Sequence, residues 1–296
     1  MKDISELLGT RYPLIQGAMG VICNPEMVAA VSEAGGFGLL ATAFLSEPEP
    51  LIKAIEEVKK RTRRPFGANL MAMNPMSLTF GEVLADHGIQ AVTTSAGNPQ
   101  GLVSFFKSRG VKVLHVVPNV ENALKAEAAG VDAVIAEGSE SGGIQGTKGA
   151  STMVLVPAVV DAVSIPVVAA GGIGDSRGYR AAFALGAKGV QVGTRFIASR
   201  ECVAHKRYKQ ALCEGRETDT VLIDRGKVHV RVIRTPLAEE LLARPGEFNH
   251  AQMAKSLEKA WIGGDLRANT LAAGQVAGLV KEVKTVGEII EEMVTG

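Results

Sequence analysis

The sequence predicts an α/β fold, a (β/α)8 TIM barrel with a C-terminal helical extension or lid. Three observations carry that prediction. Eight short, β-rich apolar runs lie between Tyr12 and Thr194, helical patterns separate them, and glycine stops recur at the spacing of βα units. The predicted strands are Tyr12–Met19, Gly36–Thr42, Phe66–Met71, Ala91–Ala96, Val111–Val117, Ala133–Glu137, Pro166–Ala170 and Gly189–Gly193. Each is bounded by Gly, Pro or polar residues. Helical patterns fall at Pro25–Ala34, Glu49–Arg61, Ser77–His87 and Val120–Ala129, and Ala181–Leu185 continues them before the last strand. Glycine at Gly35, Gly88, Gly130 and Gly186 ends a helix in the left-handed conformation and leads straight into a strand. An open doubly wound sheet usually has fewer strands, so eight of them favour a closed barrel.

After Arg195 the pattern changes. A polar helix is expected over Ser199–Gly215, a hairpin around Asp224–Lys227, and helical segments through Trp261 and from Asn269 to the end. Residues 1–198 therefore read as the barrel. Residues 199–296 read as an extension packed on it within the same structural unit, either a lid or a plain cover.

Composition excludes several classes of function. With 46% hydrophobic and 21% charged residues, nothing suggests disorder. A net charge of +1 from 32 basic and 31 acidic residues gives no field to draw nucleic acid or an anionic membrane. Small, locally bound ligands are the expected partners, and a homodimer is compatible with the sequence. Cys23, Cys202 and Cys213 are odd in number and lack metal-ligand spacing, which fits reduced thiols in a cytoplasmic protein. No leader-type apolar segment opens the chain, and no apolar run is long enough to span a membrane.

In a barrel the chemistry belongs at the C-terminal ends of the strands, and polar and glycine-rich residues concentrate there. The seventh strand ends in Gly171-Gly172-Ile173-Gly174 and the eighth in Gly193-Thr194-Arg195. Loops after these two strands often form a phosphate site from backbone N–H groups, which glycine leaves open to close approach. The Thr194 hydroxyl could add a donor. One phosphate at this place suits a mononucleotide or a sugar phosphate, because neither G-x-G-x-x-G after the first strand nor G-x-x-x-x-G-K-[ST] anywhere is present. Asn69 and Gln16 stand where amides could bond a ligand's polar edge or satisfy barrel-mouth backbone groups. Glu137, among glycines at the end of the sixth strand, could accept from ligand hydroxyls or serve the same structural purpose.

Six segments, QGAMG, RPFGANLM, VTTSAGNP, VDAVIAEGSESGG, IPVVAAGGIGDSRG and GVQVGTRF, occur in this order over almost the whole chain. Together they resemble the motifs of the nitronate monooxygenase (2-nitropropane dioxygenase) superfamily. GTRF, TTSAGNP and Ala273–Leu279 are most similar to its FMN-dependent enoyl-acyl-carrier-protein reductases of class II. The resemblance implies FMN as cofactor and NAD(P)H as co-substrate. It places the backbone of Ala18 and Met19 against the flavin ring, Asn69 at its edge, and Glu137 and Gly142 beside the ribityl chain. Gly171, Gly172, Gly193 and Thr194 fall at the phosphate.

One departure matters most. The superfamily usually reads E-[AS]-G-G-H after the sixth strand, and its histidine is the base of nitronate oxidation and lies at the substrate site of the enoyl reductases; here Ile144 stands at that position. A one-residue shift brings Gln145 forward as a substrate contact, but glutamine is no general base. None of His87, His115, His205, His229 and His250 follows the sixth strand, and His115, inside the fifth, is expected to be structural. Loss of a base favours hydride transfer, where the flavin carries the chemistry. The expected activity is NAD(P)H-driven reduction of an activated enoyl compound, an α,β-unsaturated thioester. The alternatives are a nitronate monooxygenase, an NAD(P)H:quinone reductase, and a flavin-binding subunit without turnover.

Overall fold

A computed structural model describes residues 3–226, 228–244 and 253–296. The strands are β1 (Leu14–Gln16), β2 (Gly38–Ala41), β3 (Phe66–Met71), β4 (Ala91–Ser95), β5 (Lys112–Val117), β6 (Ala133–Glu137), β7 (Gly143–Gln145), β8 (Val167–Ala170), β9 (Gly189–Val192), β10 (Thr220–Asp224) and β11 (His229–Ile233). All but β7, β10 and β11 form one parallel sheet in the order β1-β9-β8-β6-β5-β4-β3-β2. The ring closes where Phe37 N–H donates to Leu14 O at 2.8 Å and Gln16 N–H donates to Phe37 O at 2.9 Å. The predicted TIM barrel is therefore present, with helices around it.

Alternation along each strand sorts the side chains into two cores. Ile15, Phe37, Leu39, Leu114, Ile135 and Val168 fill the barrel, joined by Ile4 and Leu8 of the first helix, Ile4–Leu8. A Cβ on Gly189, at the start of β9, would lie 3.0 Å from Ile4 Cβ, so this helix plugs the N-terminal end. The opposite residues pack against the outer helices. Leu51, Ile55 and Val58, at i, i+4 and i+7 of the Glu49–Arg61 helix, are buried there. All four predicted glycine stops are left-handed, with φ between +70° and +97°.

The differences from expectation are local. β1 pairs only over Leu14–Gln16, because Gly17–Gly20 turns away to form the cavity rim. The helix before β9 runs Ser176–Ala184, starting earlier than predicted because the Asp175 carboxylate accepts from the Arg177 and Gly178 N–H groups. The polar helix is confined to Lys206–Cys213. Ser199 is instead wholly buried and forms a bridge with Lys284. The hairpin is β10–β11, with Lys227 outside the described residues. From Asn269 onward the chain is mostly not α-helical until Val286–Thr295, and Ala272 bridges Val232.

The unforeseen element is β7. It leaves the barrel after β6 and pairs antiparallel with β11, Gly143 opposite Arg231 and Ile144 opposite Val230, making a small sheet β10-β11-β7. A barrel loop is thus woven into the extension. Among the described residues, no helix is long and apolar enough to cross a membrane.

Candidate functional site

A cavity of about 400 Å³ opens at the C-terminal ends of the barrel strands. All nine residues singled out as ligand-binding, Ala18, Met19, Asn69, Glu137, Gly142, Gly171, Gly172, Gly193 and Thr194, line it together. They come from five different strand ends, so only the closed barrel brings them together.

On one side, the turn after β1 is held where Met19 N–H donates to Cys23 Sγ at 2.8 Å. Asn69 projects inward from β3. Its Nδ2 donates to Ser95 Oγ at 3.1 Å and its Oδ1 accepts from Thr93 Oγ1 at 2.9 Å, so the orientation of the amide is set and one N–H stays free for a ligand. Ala96 has φ +49°, the only positive value among described non-glycine residues. That strain, of order 1–3 kcal/mol, is held by Ala72 N–H on Ser95 O at 2.7 Å and Met73 N–H on Ala96 O at 3.0 Å. It turns the chain back at the cavity wall.

Across the cavity, burial pushes the Glu137 carboxyl up to about 7, opposed by a hydrogen bond with Ser141. Gly142 has to be glycine for a packing reason: a Cβ there would lie 2.5 Å from Ala273 C. The extension crosses at that point, and Gln275 N–H donates to Glu140 O at 2.9 Å.

The β8 and β9 ends suit an anion. Gly171 and Gly172 have φ +95° and +73°, and a Cβ on Gly172 would meet Glu140 Oε2 at 2.4 Å. No described residue accepts from Gly172 N–H or Thr194 N–H. Thr194 opens the short helix Thr194–Ile197, and its Oγ1 accepts from Gly274 N–H at 3.0 Å, which leaves the hydroxyl proton free to donate. Two unmatched N–H groups and one free hydroxyl fit a phosphate, with the Glu140 side chain beside Gly172.

Two amides have partners within the protein. Gln16 does not line the cavity. Its Oε1 accepts from Leu39 N–H at 3.0 Å and its Nε2 donates to Gly17 O, so it serves the barrel mouth. Gln145 lines the cavity, and its Nε2 donates to Ser141 O and to Ser141 Oγ at 3.0 Å, tying down its own loop. Neighbours on β7 face opposite ways, so buried Gln145 leaves Ile144 as the residue presented, 45% exposed.

Sequence reasoning missed several cavity residues. Gln191, on β9, shares the inward face with Gly193 by simple alternation, a signal available in the sequence. Tyr208, Trp261, Ala272 and Val276 come from the extension, where no local pattern marks them. Trp261 Nε1–H donates to Thr270 O at 2.8 Å and Tyr208 OH to Ala272 O at 2.5 Å, which fixes both rings over the cavity. His115 also lines it, with Nδ1 2.8 Å from Thr94 Oγ1, and burial pushes its imidazole down to about 4.

The profile of a family described as nitronate monooxygenase matches residues 2–81 and 78–296. A solved structure of FabK from Thermotoga maritima is 40% identical with a TM-score of 0.92, covering 99% of this chain and 95% of its own. A Rhodococcus jostii protein, (3aS,4S,5R,7aS)-5-hydroxy-7a-methyl-1-oxo-octahydro-1H-indene-4-carboxyl-CoA dehydrogenase, is 32% identical over 98% of this chain and 94% of its own length. A probable nitronate monooxygenase of Staphylococcus saprophyticus is 35% identical over 74% of each. Matches of this extent, on a barrel whose strand ends carry the family's ordered motifs, show that the chain belongs to the nitronate monooxygenase family of flavin-dependent oxidoreductases.

Proposed function

We propose that this enzyme binds FMN in the barrel-mouth cavity and uses NAD(P)H to reduce an α,β-unsaturated thioester. The family and FabK are FMN-dependent. Gly171, Gly172, Gly193 and Thr194 would hold the phosphate, Glu137 and Gly142 the ribityl chain, Asn69 the ring edge, and the Ala18–Met19 backbone the ring face. FMN, when bound, supplies two-electron hydride chemistry. The protein's part is to bind and orient the acceptor and keep water out, which Trp261 and Tyr208 assist from the extension.

The observation that carries the reading is Ile144. An alkyl side chain is presented at the place where nitronate oxidation needs a base, while reduction of an enoyl group needs no protein base at that point. The names of two relatives agree, one an enoyl-acyl-carrier-protein reductase and the other a CoA-ester dehydrogenase. Nitronate oxidation is the second reading, supported by the family profile and the staphylococcal relative.

Anaerobic reoxidation of the reduced flavin against an enoyl-CoA, a quinone and a nitronate separates these readings. Fastest reoxidation by the enoyl-CoA is expected. Fast turnover of the nitronate with no response to the thioester overturns the proposal.

A further inference from the structure

Polar side chains that alternation turns inward at the barrel mouth divide by whether the protein satisfies them. Asn69 bonds Ser95 and Thr93, and Glu137 bonds Ser141. Gln191 of β9 also lines the cavity, but no described residue bonds its amide. Its position is nevertheless set. A Cβ built on Gly17 would lie 3.4 Å from Gln191 Cγ and 3.6 Å from both Cδ and Nε2, so the side chain packs across Gly17. Both the carbonyl oxygen and the NH2 group are left for a ligand.

Three placements locate this amide along a ligand that spans the cavity. Gln191 precedes Gly193 by two residues on the same face of β9, one step beneath the phosphate cradle. Gly17, which it touches, leads directly into the Ala18–Met19 turn assigned to the ring face. In the sheet register, Glu137 stands beside Ala170 and Ala170 beside Gln191. Neighbouring strands are roughly 4.8 Å apart, so Glu137 and Gln191 face each other across no more than roughly 10 Å. Between them the Ala170 methyl is too small to fill the trough. A phosphate held at Gly193 and a ring held at Ala18–Met19 must be joined by whatever runs through that trough.

We infer that the Gln191 amide hydrogen-bonds the ribityl hydroxyls of FMN from the wall opposite Glu137. The inference rests on FMN occupying the cavity, as read above. A hydroxyl both donates and accepts, and a free amide complements both, with Oε1 accepting the hydroxyl proton or Nε2–H donating to the hydroxyl oxygen. Gln191 is then a residue that selects the polyol chain, while the glycines above it hold the phosphate.

Fluorescence titration of the apoprotein with two probes tests this. One is FMN. The other is a 7,8-dimethylisoalloxazine with a 5-phosphopentyl chain on N10, which keeps ring and phosphate and lacks the hydroxyls. Gln191→Met keeps the length of the side chain and its packing across Gly17 but removes the amide. It should weaken FMN binding about tenfold, the scale of losing one or two neutral hydrogen bonds, and leave the Kd of the pentyl flavin within about twofold. If Gln191→Met does not fold, Gln191→Asn, which withdraws the amide by one methylene, should show the same selective loss. An unchanged Kd for FMN overturns the inference. Equal weakening of both flavins also overturns it, because the residue then meets the ring or the phosphate, or only shapes the site. A wild-type apoprotein that binds neither probe overturns the FMN reading itself, and the role of Gln191 with it.

Discussion

Thr194 Oγ1 accepts a hydrogen bond from Gly274 N–H at 3.0 Å, which joins the end of the last barrel strand to the C-terminal extension. The contact aims the hydroxyl proton away from Gly274 and leaves it for a ligand. Thr194→Val keeps the shape, removes that donor and strands the Gly274 N–H. A hydrogen bond to a charged group contributes about 1.5–3 kcal/mol, so FMN binding should weaken roughly tenfold or more, with Thr194→Ser close to wild type. Fluorescence titration of the apoprotein with FMN measures it; an unchanged Kd would place the phosphate elsewhere.

Gly172→Asp should abolish FMN retention while the barrel stays folded. The position has φ +73°, and a Cβ there points at Glu140 Oε2. A left-handed non-glycine residue costs about 1–2 kcal/mol, which a barrel of this size can absorb, but a second carboxylate beside Glu140 also repels a phosphate dianion. The variant should purify colourless with native circular dichroism. Normal flavin content would show that this loop does not hold the phosphate.

The barrel and the chemistry at its strand ends were legible because both follow from short-range pattern. Alternation identified the strands, glycine marked the helix stops, and the residues named at the ends of β3, β6, β8 and β9 line one cavity. What was left open or missed has a common cause in long-range contacts. Gln16 stood open between a ligand amide and a barrel-mouth role because nothing local reveals that Leu39 N–H takes its oxygen. β7 was invisible because three residues, Gly143–Gln145, become a strand only through pairing with β11, some 85 positions on. Trp261 and Tyr208 reach the cavity through packing of the extension, and no periodicity encodes that.

Glu137 should make the flavin-free protein less stable as pH rises. Its carboxyl titrates near 7 when folded against an ordinary 4.5. Between those values the unfolded chain ionises while the folded one keeps its proton, so the unfolded state binds fewer protons and stability falls with pH. The contribution is fully present below about 4.5 and lost as pH reaches about 7. At 1.36 kcal/mol per unit, the loss is at most about 3 kcal/mol. Other carboxylates titrate in the same range, so the measurement is the difference between wild type and Glu137→Gln in urea midpoints at pH 5 and 7.5. The wild type should lose ground to the variant as pH rises, and a constant difference would mean that Glu137 is already ionised in the folded state.

Ile144→His restores an imidazole where the superfamily has one. The backbone there is set by the β7–β11 ladder, with Ile144 opposite Val230, so the substitution changes the side chain without moving the loop. Ile144 is 45% exposed and lines the cavity, which gives a ring both space and water to titrate near its ordinary pKa. General-base catalysis contributes about a hundred- to ten-thousand-fold, and the variant should gain some part of that factor in nitronate oxidation, measured as oxygen uptake with propyl-2-nitronate. Flavin reduction by NAD(P)H should not improve, because hydride delivery depends on stacking and orientation and not on a base at this position. The wild type should oxidise nitronates slowly or not at all. Rapid wild-type oxidation would show that a base is already present, and the search would then turn to Glu137, whose carboxyl titrates close to neutrality at the cavity wall.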